Sequence, residues 1–275
     1  MKSKRQSPSE RLPINPFQPD LLKGKAALVT GGGTGICRGI ALALASVGCN
    51  VAISSRKQEH LEPAAAEIER AGVRALAIAS DVRDPAAVEV VVTQTAQTFG
   101  GLDIVVNGAA GNFFCLAENL SPNGFGAVVD IDLKGTFNVS RAAFPHLKLR
   151  NGVILNISAT LQLLGTVGQS HASAAKAGVD ALTRALAVEW GPAGVRVNAV
   201  APGPVEGTEG VRRLVTPESM KMIDDDCPLG RLATIDDIAN AALFLCSDAA
   251  SFVTGVVLVV DGGLWLRSAR ALAGE

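Results

Sequence analysis

The sequence predicts a single three-layer α/β domain, in which helices cover both faces of a doubly wound parallel sheet of about seven strands. Two observations predict this class. Short runs rich in Val, Ile and Ala alternate along the 275 residues with longer amphipathic stretches, and these runs are continuously apolar, as parallel strands buried on both faces are. The apolar fraction of 48%, with 29 glycines, is enough for a large buried core.

The apolar runs and amphipathic stretches give the order of the elements. Strands are predicted at 26–30, 51–54, 75–79, 104–107, 153–157, 195–200 and 256–260. Helices are predicted between them, at about 35–47, 59–71, 85–99, 122–149, 169–190 and 235–246. The connection at 202–228 has no clear period, and we expect it to be a substrate lid because long loops in compact domains usually have a function.

The two ends of the chain and its charge limit the class of partner. Residues 1–22 are basic at the start and carry four prolines, which predicts a mobile arm before one domain at 23–275. A net charge of −1 provides no long-range field for nucleic acid or an anionic membrane, and no apolar run is long enough to span a bilayer. We therefore expect a small-molecule ligand, with no nucleic acid and no membrane partner.

The cysteines and histidines predict neither a metal site nor a disulfide framework. Five cysteines are scattered along the chain, and the three histidines, His60, His146 and His171, do not fall at metal-ligand spacing. We interpret the cysteines as reduced thiols in or near the core, which indicates a soluble protein of a reducing compartment.

A glycine-rich turn follows the first predicted strand and opens the first helix. Glycines there permit positive φ and let backbone N–H groups approach a pyrophosphate, while the helix N-terminus adds partial positive charge. The turn therefore predicts a Rossmann-type dinucleotide site, for which the candidate residues are Gly31, Gly33, Thr34, Gly35 and Ile36. Cys37 departs from the usual pattern, in which a third glycine packs helix against strand, and we expect a modest local shift.

The residues after the second strand indicate which dinucleotide binds. The chain reads Ser54-Ser55-Arg56-Lys57, with no acidic residue to accept a hydrogen bond from a ribose 2′-hydroxyl. Arg56 can instead pair with a 2′-phosphate, and Lys57 can add charge. The sequence therefore favours NADP(H) as cofactor.

From about Lys23 to Gly263 the chain resembles the short-chain dehydrogenase/reductase family. Three further segments carry that resemblance: Asp81-Val82, the Asn107-Gly-Ala109-Ala-Gly111 turn, and Pro202-Gly203-Pro204-Val205-Glu-Gly-Thr208. The resemblance implies that these contact the adenine, the adenosine ribose and the nicotinamide carboxamide respectively. It also implies that Lys176 holds the nicotinamide ribose and places positive charge near the developing anion.

The chain departs from that family at the proton donor. It contains no tyrosine, and the place four residues before Lys176, where the family has a catalytic Tyr, is Ala172. The position of the helping Ser or Thr is Ala159. Asp132 stands where most members have a water-holding Asn, and Asp261 follows the last strand. A buried carboxyl can hold and deliver a proton, so we expect Asp132 to act as the acid and Asp261 as a second candidate; for Asp261 a turn-forming role remains the alternative.

The same departures narrow the resemblance to the 2,4-dienoyl-CoA reductases of the peroxisomal type. Those enzymes also lack the helix Tyr, so its absence here does not indicate a dead enzyme. The resemblance implies NADPH-dependent reduction of a 2,4-dienoyl-CoA to a 3-enoyl-CoA in the breakdown of unsaturated fatty acids. It also implies acyl-CoA contacts, from Arg83, Phe113, Ser121, Pro122, Asn123 and Arg213, with Ser158 and Thr160 as donors to the thioester oxygen.

Two alternatives stay open from the sequence. One is another enoyl- or acyl-thioester reductase of the family; the other is a catalytically silent scaffold that binds NADP. Relatives imply a homotetramer packed through the predicted helices 122–149 and 169–190. The cytoplasm is our first expectation for location: the resemblance allows a peroxisome, but Ala271-Leu-Ala-Gly-Glu275 is not an address of the Ser-Lys-Leu type.

Overall fold

A computed structural model of the chain describes residues 17–214, 223 and 226–266, apart from the side chains of 213 and 214. Within these residues a single sheet contains seven parallel strands in the order β3-β2-β1-β4-β5-β6-β7. The strands are β1 Ala26–Thr30, β2 Asn50–Ser55, β3 Ala75–Ala79, β4 Ile104–Asn107, β5 Val153–Ile157, β6 Arg196–Pro202 and β7 Val257–Val260. The predicted doubly wound sheet is confirmed. Its order reverses between β1 and β4, where ligands of such sheets bind at the carboxyl ends of the strands.

Helices cover both faces of this sheet, as the amphipathic stretches predict. They are α1 Gly35–Ser46, α2 Gln58–Arg70, α3 Pro85–Phe99, α4 Pro122–Val129, α5 Gly135–Leu147, α6 Leu161–Leu164, α7 Ser170–Trp190, α8 Glu209–Leu214 and α9 Ile235–Cys246. Local chemistry explains where some of them begin. Asp84 caps α3 by accepting from the amides of Ala86 and Ala87, and Thr234 with Asp237 forms a capping box on α9.

The core lies on both sides of the central strands. Every residue of β1, β4 and β5 is buried, which explains why these runs are apolar apart from Thr30, Asn107 and Asn156 near their carboxyl ends. Leu22 is also buried, and Phe17 and Leu21 pack against the same cluster. The packed part of the chain therefore extends to Phe17, ahead of the expected boundary at Lys23; residues 1–16 of the predicted arm lie outside the described residues.

The helix predicted at 122–149 contains a π-helical turn. α4 runs to Val129, residues Asp130–Lys134 form the π turn, and α5 continues from Gly135. A π turn inserts one residue into the helix and is frequent at functional sites. Here it carries Asp132, the buried residue of the turn. Gly135, directly after the turn, allows close packing, because a Cβ there would lie 2.5 Å from Val82 Cγ2.

Candidate active site

The carboxyl ends of β1, β4, β5 and β6 bring the predicted site segments to one edge of the sheet. Thr30, the last residue of β1, joins two of them: its Oγ1 accepts from the amides of Gly108 and Ala109 at 3.1 and 3.3 Å. Gly31 follows with φ of 71°, and a Cβ there would lie 2.7 Å from Gly108 O. Position 31 therefore requires glycine both for its conformation and for this close approach.

The turn that leads into α1 fits a pyrophosphate. Gly35 has φ of 55° and open space where a Cβ would stand. Thr34, the N-cap residue, makes no side-chain cap hydrogen bond, and the first turn of α1 has no acidic residue. The amides at this helix N-terminus are therefore left for an anion, in contrast to the capped starts of α3 and α9. Gly33 and Ile36 complete the predicted set in the same turn.

Cys37 fills space that Gly108 leaves empty. Its Sγ lies 3.6 Å from Gly108 O, and a Cβ added to Gly108 would lie only 2.0 Å from that sulfur. Burial raises the pKa of the Cys37 thiol to about 12, so it is an inert packing group. The glycine at position 108, on the loop after β4, thus leaves room for the Cys37 side chain on α1. The glycine-rich turn before α1 keeps its conformation.

The adenosine end of the site carries exposed cations. Arg56 and Lys57 are exposed directly after β2, where the sequence predicts the 2′-phosphate. Asp81 accepts from Arg83 Nε at 3.0 Å, and the hydrogen bond from Arg83 holds the pKa of the Asp81 carboxyl below its usual range. Asp81, the predicted adenine contact, and Arg83, the predicted CoA contact, are therefore bonded to each other. Val82 beside them is buried.

Asn107 anchors the predicted ribose-binding turn from within the sheet. Its Nδ2 donates to Asn156 Oδ1 and to Ser140 Oγ, both at 2.9 Å, and Asn156 Nδ2 donates to Thr183 Oγ1 at 2.8 Å. These bonds connect β4, β5, α5 and α7 in one buried polar chain. They fix the carboxyl ends of both strands, and with them the backbone of Ala109.

The segment predicted to close over the nicotinamide packs beside Asp261. Pro202 O accepts from Thr160 N at 3.2 Å, and a Cβ on Gly203 would lie 2.6 Å from Asp261 Cβ. Pro204 follows, Val205 forms a bridge with Ala233, and Thr208 Oγ1 donates to Val205 O at 2.8 Å. Residues 215–222, 224 and 225 of the predicted lid lie outside the described residues.

Lys176 and Asp132 form a buried ion pair at the centre of the edge. Lys176 Nζ lies 3.1 Å from Asp132 Oδ2 and donates to Ile157 O at 2.9 Å. Asp132 Oδ1 accepts from Gly111 N at 2.7 Å. Lys176 is 8% exposed and Asp132 2%, so both residues are shielded from solvent. A carboxyl and an ammonium in such contact can exchange a proton with each other and with a ligand.

Ser158 is engaged by a carboxylate that the sequence interpretation did not use. Its Oγ donates to Asp180 Oδ1 at 2.5 Å, and Gln162 Nε2 donates to Asp180 Oδ2 at 2.5 Å. A serine hydroxyl has one proton, so in this arrangement Ser158 has none for a thioester oxygen. Thr160 is buried beside it and makes no such contact with Asp180. Asp180 lies one helical turn after Lys176, on the same face of α7. A carboxylate at that spacing was a signal in the sequence that could have identified Asp180 as part of the site.

Asp261 uses both carboxylate oxygens within its own turn. Oδ1 accepts from Gly263 N at 2.9 Å and Oδ2 from Trp265 N at 2.8 Å. This is the geometry of a turn-forming aspartate, the alternative that the sequence left open. Its position against Gly203 still places it at the same edge of the sheet as Lys176.

Four of the predicted substrate residues lie on the loop and helix that follow β4. Phe113 is half-exposed, and Ser121, Pro122 and Asn123 are exposed at the start of α4, which Ser121 caps by accepting from Gly124 N at 3.1 Å. The side chain of Arg213 lies outside the described residues. In the parts of the chain that are described, no three His, Cys, Asp or Glu side chains group as a metal site, and no helix is long and apolar enough to cross a membrane.

Comparisons with known proteins agree with this geometry. Residues 31–265 match the family model described as enoyl-(acyl carrier protein) reductase. The peroxisomal 2,4-dienoyl-CoA reductase of Rattus norvegicus, named as (3E)-enoyl-CoA-producing, is 51% identical over 91% of this chain and 87% of its own. That of Saccharomyces cerevisiae is 49% identical over 90% of this chain and 87% of its own. A probable 2,4-dienoyl-CoA reductase of Bacillus subtilis, named as (2E)-enoyl-CoA-producing, is 43% identical over 90% and 98%.

Solved structures show the same fold. A short-chain dehydrogenase of Bacillus anthracis has a TM-score of 0.80 and 41% identity, covering 88% of this chain and 97% of its own. A citronellol catabolism dehydrogenase of Pseudomonas aeruginosa has a TM-score of 0.80 and 36% identity, covering 90% and 98%.

Proposed function

Because this chain belongs to the short-chain dehydrogenase/reductase family and is about 50% identical to 2,4-dienoyl-CoA reductases, we propose that it reduces a 2,4-dienoyl-CoA to a 3-enoyl-CoA with NADPH. The observation that carries the proposal is the buried Asp132–Lys176 pair in a chain without any tyrosine. A carbonyl reductase must protonate an oxygen and uses a phenol to do so. A dienoyl reductase must protonate carbon, for which a carboxyl group is suitable.

The cofactor is held by the turn before α1 and by the cations after β2. The uncapped start of α1 binds the pyrophosphate, and Arg56 with Lys57 binds the 2′-phosphate that distinguishes NADPH from NADH. Asp81 and Val82 bind the adenine end, and the segment Pro202 to Thr208 covers the carboxamide. When bound there, the nicotinamide supplies a hydride for the far carbon of the diene.

Two residues of the chain stabilise the negative charge that develops on the substrate and supply the proton. Negative charge collects on the thioester oxygen as the diene is reduced, and the Lys176 ammonium, shielded from solvent, stabilises it. Asp132 delivers a proton to the carbon alpha to the thioester, directly or through a water. Lys176, in contact with Asp132 Oδ2 at 3.1 Å, can replace that proton. One hydride and one proton are thus consumed for each 3-enoyl-CoA formed. Asp261 is a second candidate for this proton, but its two oxygens accept from backbone amides, which cannot resupply a proton, whereas Asp132 contacts the ammonium of Lys176.

Acyl-CoA contacts complete the proposed site. Phe113 provides an apolar wall for the acyl chain, the Ser121-Pro122-Asn123 turn lies at its mouth, and Arg83 and Arg213 are partners for the CoA phosphates. Arg83 must leave Asp81 to reach a phosphate. The assembly we propose is a homotetramer packed through α4, α5 and α7, which present the exposed apolar side chains Phe137 and Val188.

A thioester panel tests the reaction. NADPH oxidation is followed with a 2,4-dienoyl-CoA, a 2-enoyl-CoA and a 3-oxoacyl-CoA, and we expect turnover of the first. Turnover of the 3-oxoacyl-CoA alone would contradict the proposal, and NADPH binding without any turnover would indicate a silent scaffold. Because the Bacillus subtilis relative is named as (2E)-enoyl-CoA-producing, the position of the double bond in the product should also be determined. In D₂O the 3-enoyl product carries deuterium on the alpha carbon, whereas a 2-enoyl product carries it on the gamma carbon.

A further inference from the structure

The environment of His171 is not explained by the chemistry proposed above. Its side chain is completely buried, with 0% exposure. Neither Nδ1 nor Nε2 has a hydrogen-bond partner among the residues that the structure describes. A buried polar nitrogen without a partner destabilises a fold, and an apolar side chain of similar shape would avoid that cost. An imidazole in this place indicates a partner that lies outside the described residues.

The location of His171 shows where that partner would bind. The residue precedes Ala172, and its ring packs on Phe113 with centroids 4.4 Å apart and planes at 34°. Phe113 belongs to the loop after β4 and is 39% exposed. Asn112 Nδ2 donates to Gln169 Oε1 at 2.7 Å, which attaches this loop to the start of α7. The imidazole of His171 therefore lies directly behind the ring of Phe113, on the side away from solvent.

We propose that His171 is a further catalytic residue, which donates a hydrogen bond to the thioester oxygen of the acyl-CoA once Phe113 has rotated aside. This inference rests on the proposed function. The 2,4-dienoyl chain that would lie along Phe113 carries a single hydrogen-bonding atom, the thioester oxygen. The tyrosine that would otherwise contact a substrate oxygen is replaced by Ala172, and the proton of Ser158 is directed at Asp180.

The reaction gives this hydrogen bond a use beyond binding. Hydride addition at the far carbon moves an electron pair along the diene and places negative charge on the thioester oxygen. A donor aimed at that oxygen from a buried position binds the charged form more strongly than the neutral one, which lowers the barrier. Loss of the imidazole should therefore reduce the rate as well as the affinity.

Substitution with an apolar ring separates this role from a structural one. In His171→Phe we expect an unchanged or higher Tm, since no orphaned nitrogen remains, together with a fall of about 100-fold in kcat/KM for the dienoyl-CoA. The Kd of NADPH should not change. His171→Gln, which keeps a donor, should recover part of the lost rate. His146→Gln, on α5 away from the site, is the matched control. A wild-type kcat/KM in His171→Phe would overturn the proposal.

Binding of a saturated thioester keeps the test independent of turnover. We expect calorimetry to show that His171→Phe binds hexanoyl-CoA about tenfold more weakly than the wild type, the effect of one hydrogen bond, but binds free CoA equally well. Free CoA lacks the thioester oxygen. His171→Leu, a smaller side chain, replaces the Phe variant if that does not fold. Equal hexanoyl-CoA affinity in the wild type and these variants would overturn the role of His171. Failure of the wild type to reduce any dienoyl-CoA would instead overturn the proposed function.

Discussion

The proposed cofactor side and the proposed substrate side of this site are built by different means. On the proposed cofactor side, the binding groups are mainly backbone amides, exposed by glycines at one tight turn and by the uncapped start of α1. On the proposed substrate side, they are buried side chains, Asp132 on the π turn and His171 and Lys176 on α7. The first kind of site depends on local shape, and the second depends on contacts between residues far apart in sequence.

The difference predicts different responses to substitution. A site made of backbone amides should tolerate substitutions of its side chains but fail when a glycine of the turn gains a Cβ. A site made of side chains should lose activity after an isosteric substitution, such as Asp to Asn, although its shape is unchanged. The predictions below test this contrast, beginning with the largest effect.

The substrate side should be most sensitive at Asp132. We expect Asp132→Asn to lower kcat by about 10² to 10⁴-fold, the usual contribution of a general acid, while the Kd of NADPH stays within a factor of two or so. Steady-state kinetics and fluorescence titration measure the two quantities. Asp130→Asn is the matched control, because Asp130 belongs to the same π turn but forms only an exposed pair with Lys134. An undiminished rate in Asp132→Asn would exclude this carboxyl as the proton source.

On the proposed cofactor side, the side chains with the largest expected effect are those of the proposed 2′-phosphate site. Arg56→Ala should weaken NADPH binding by about 10- to 100-fold, as loss of a charge-assisted hydrogen bond does, and leave NADH binding nearly unchanged. Arg70→Ala, at the far end of the following helix, is the control. Equal effects on the two dinucleotides would remove Arg56 from the phosphate site.

The contact between Cys37 and Gly108 tests shape alone. Gly108→Ala should destabilise the protein by about 1 to 3 kcal/mol, because the added Cβ meets the sulfur of Cys37 in a packed site. Cys37→Ala removes that sulfur and should rescue the Gly108→Ala variant. Thermal unfolding of the four proteins gives the coupling, and we expect it to exceed about 0.5 kcal/mol. Additive effects would show that the two residues do not share this space.

The smallest effect is expected at the capping box of α9, which lies outside the proposed site. It shows how much free energy of unfolding one structural contact contributes. Burial alone would raise the pKa of Asp237, but hydrogen bonds from Arg231 and Thr234 outweigh it and lower the pKa to about 2. A lowered pKa stabilises the folded state above the unfolded value of 3.8, and the contribution is lost as pH falls through about 2. Asp237→Asn should cost about 1 kcal/mol at pH 7, since solvent screens this pair. A difference that persists at pH 1.5 would contradict the assignment.

The contrast between the two sides also explains what the sequence could reveal. All seven strands were predicted within two residues, because continuous apolar runs and the turns between them are local signals. The glycine-rich turn that opens α1 was predicted for the same reason. Asp132 and Lys176 were identified through resemblance, but their 3.1 Å contact depends on how the π turn meets α7, which no local pattern specifies.

Three features of the substrate side had weaker signals. The π turn divides a stretch whose apolar period predicted one regular helix. Asp180 is a lone acid on an apolar helix face, and its partners Ser158 and Gln162 come from other segments. His171 had no assigned role because a single buried histidine in a sequence shows neither its partners nor their absence.

The π turn at Asp130–Lys134 has a consequence for the way this helix can vary. Each residue of an α-helix advances the chain by about 100°, so one inserted residue sets α4 and α5 in different rotational phases about a common axis. The face of α4 that we propose for the acyl-CoA and the face of α5 that meets the sheet are therefore out of step by one position. A single-residue deletion between them would bring the two phases together and turn the carboxyl group of Asp132 away from Lys176.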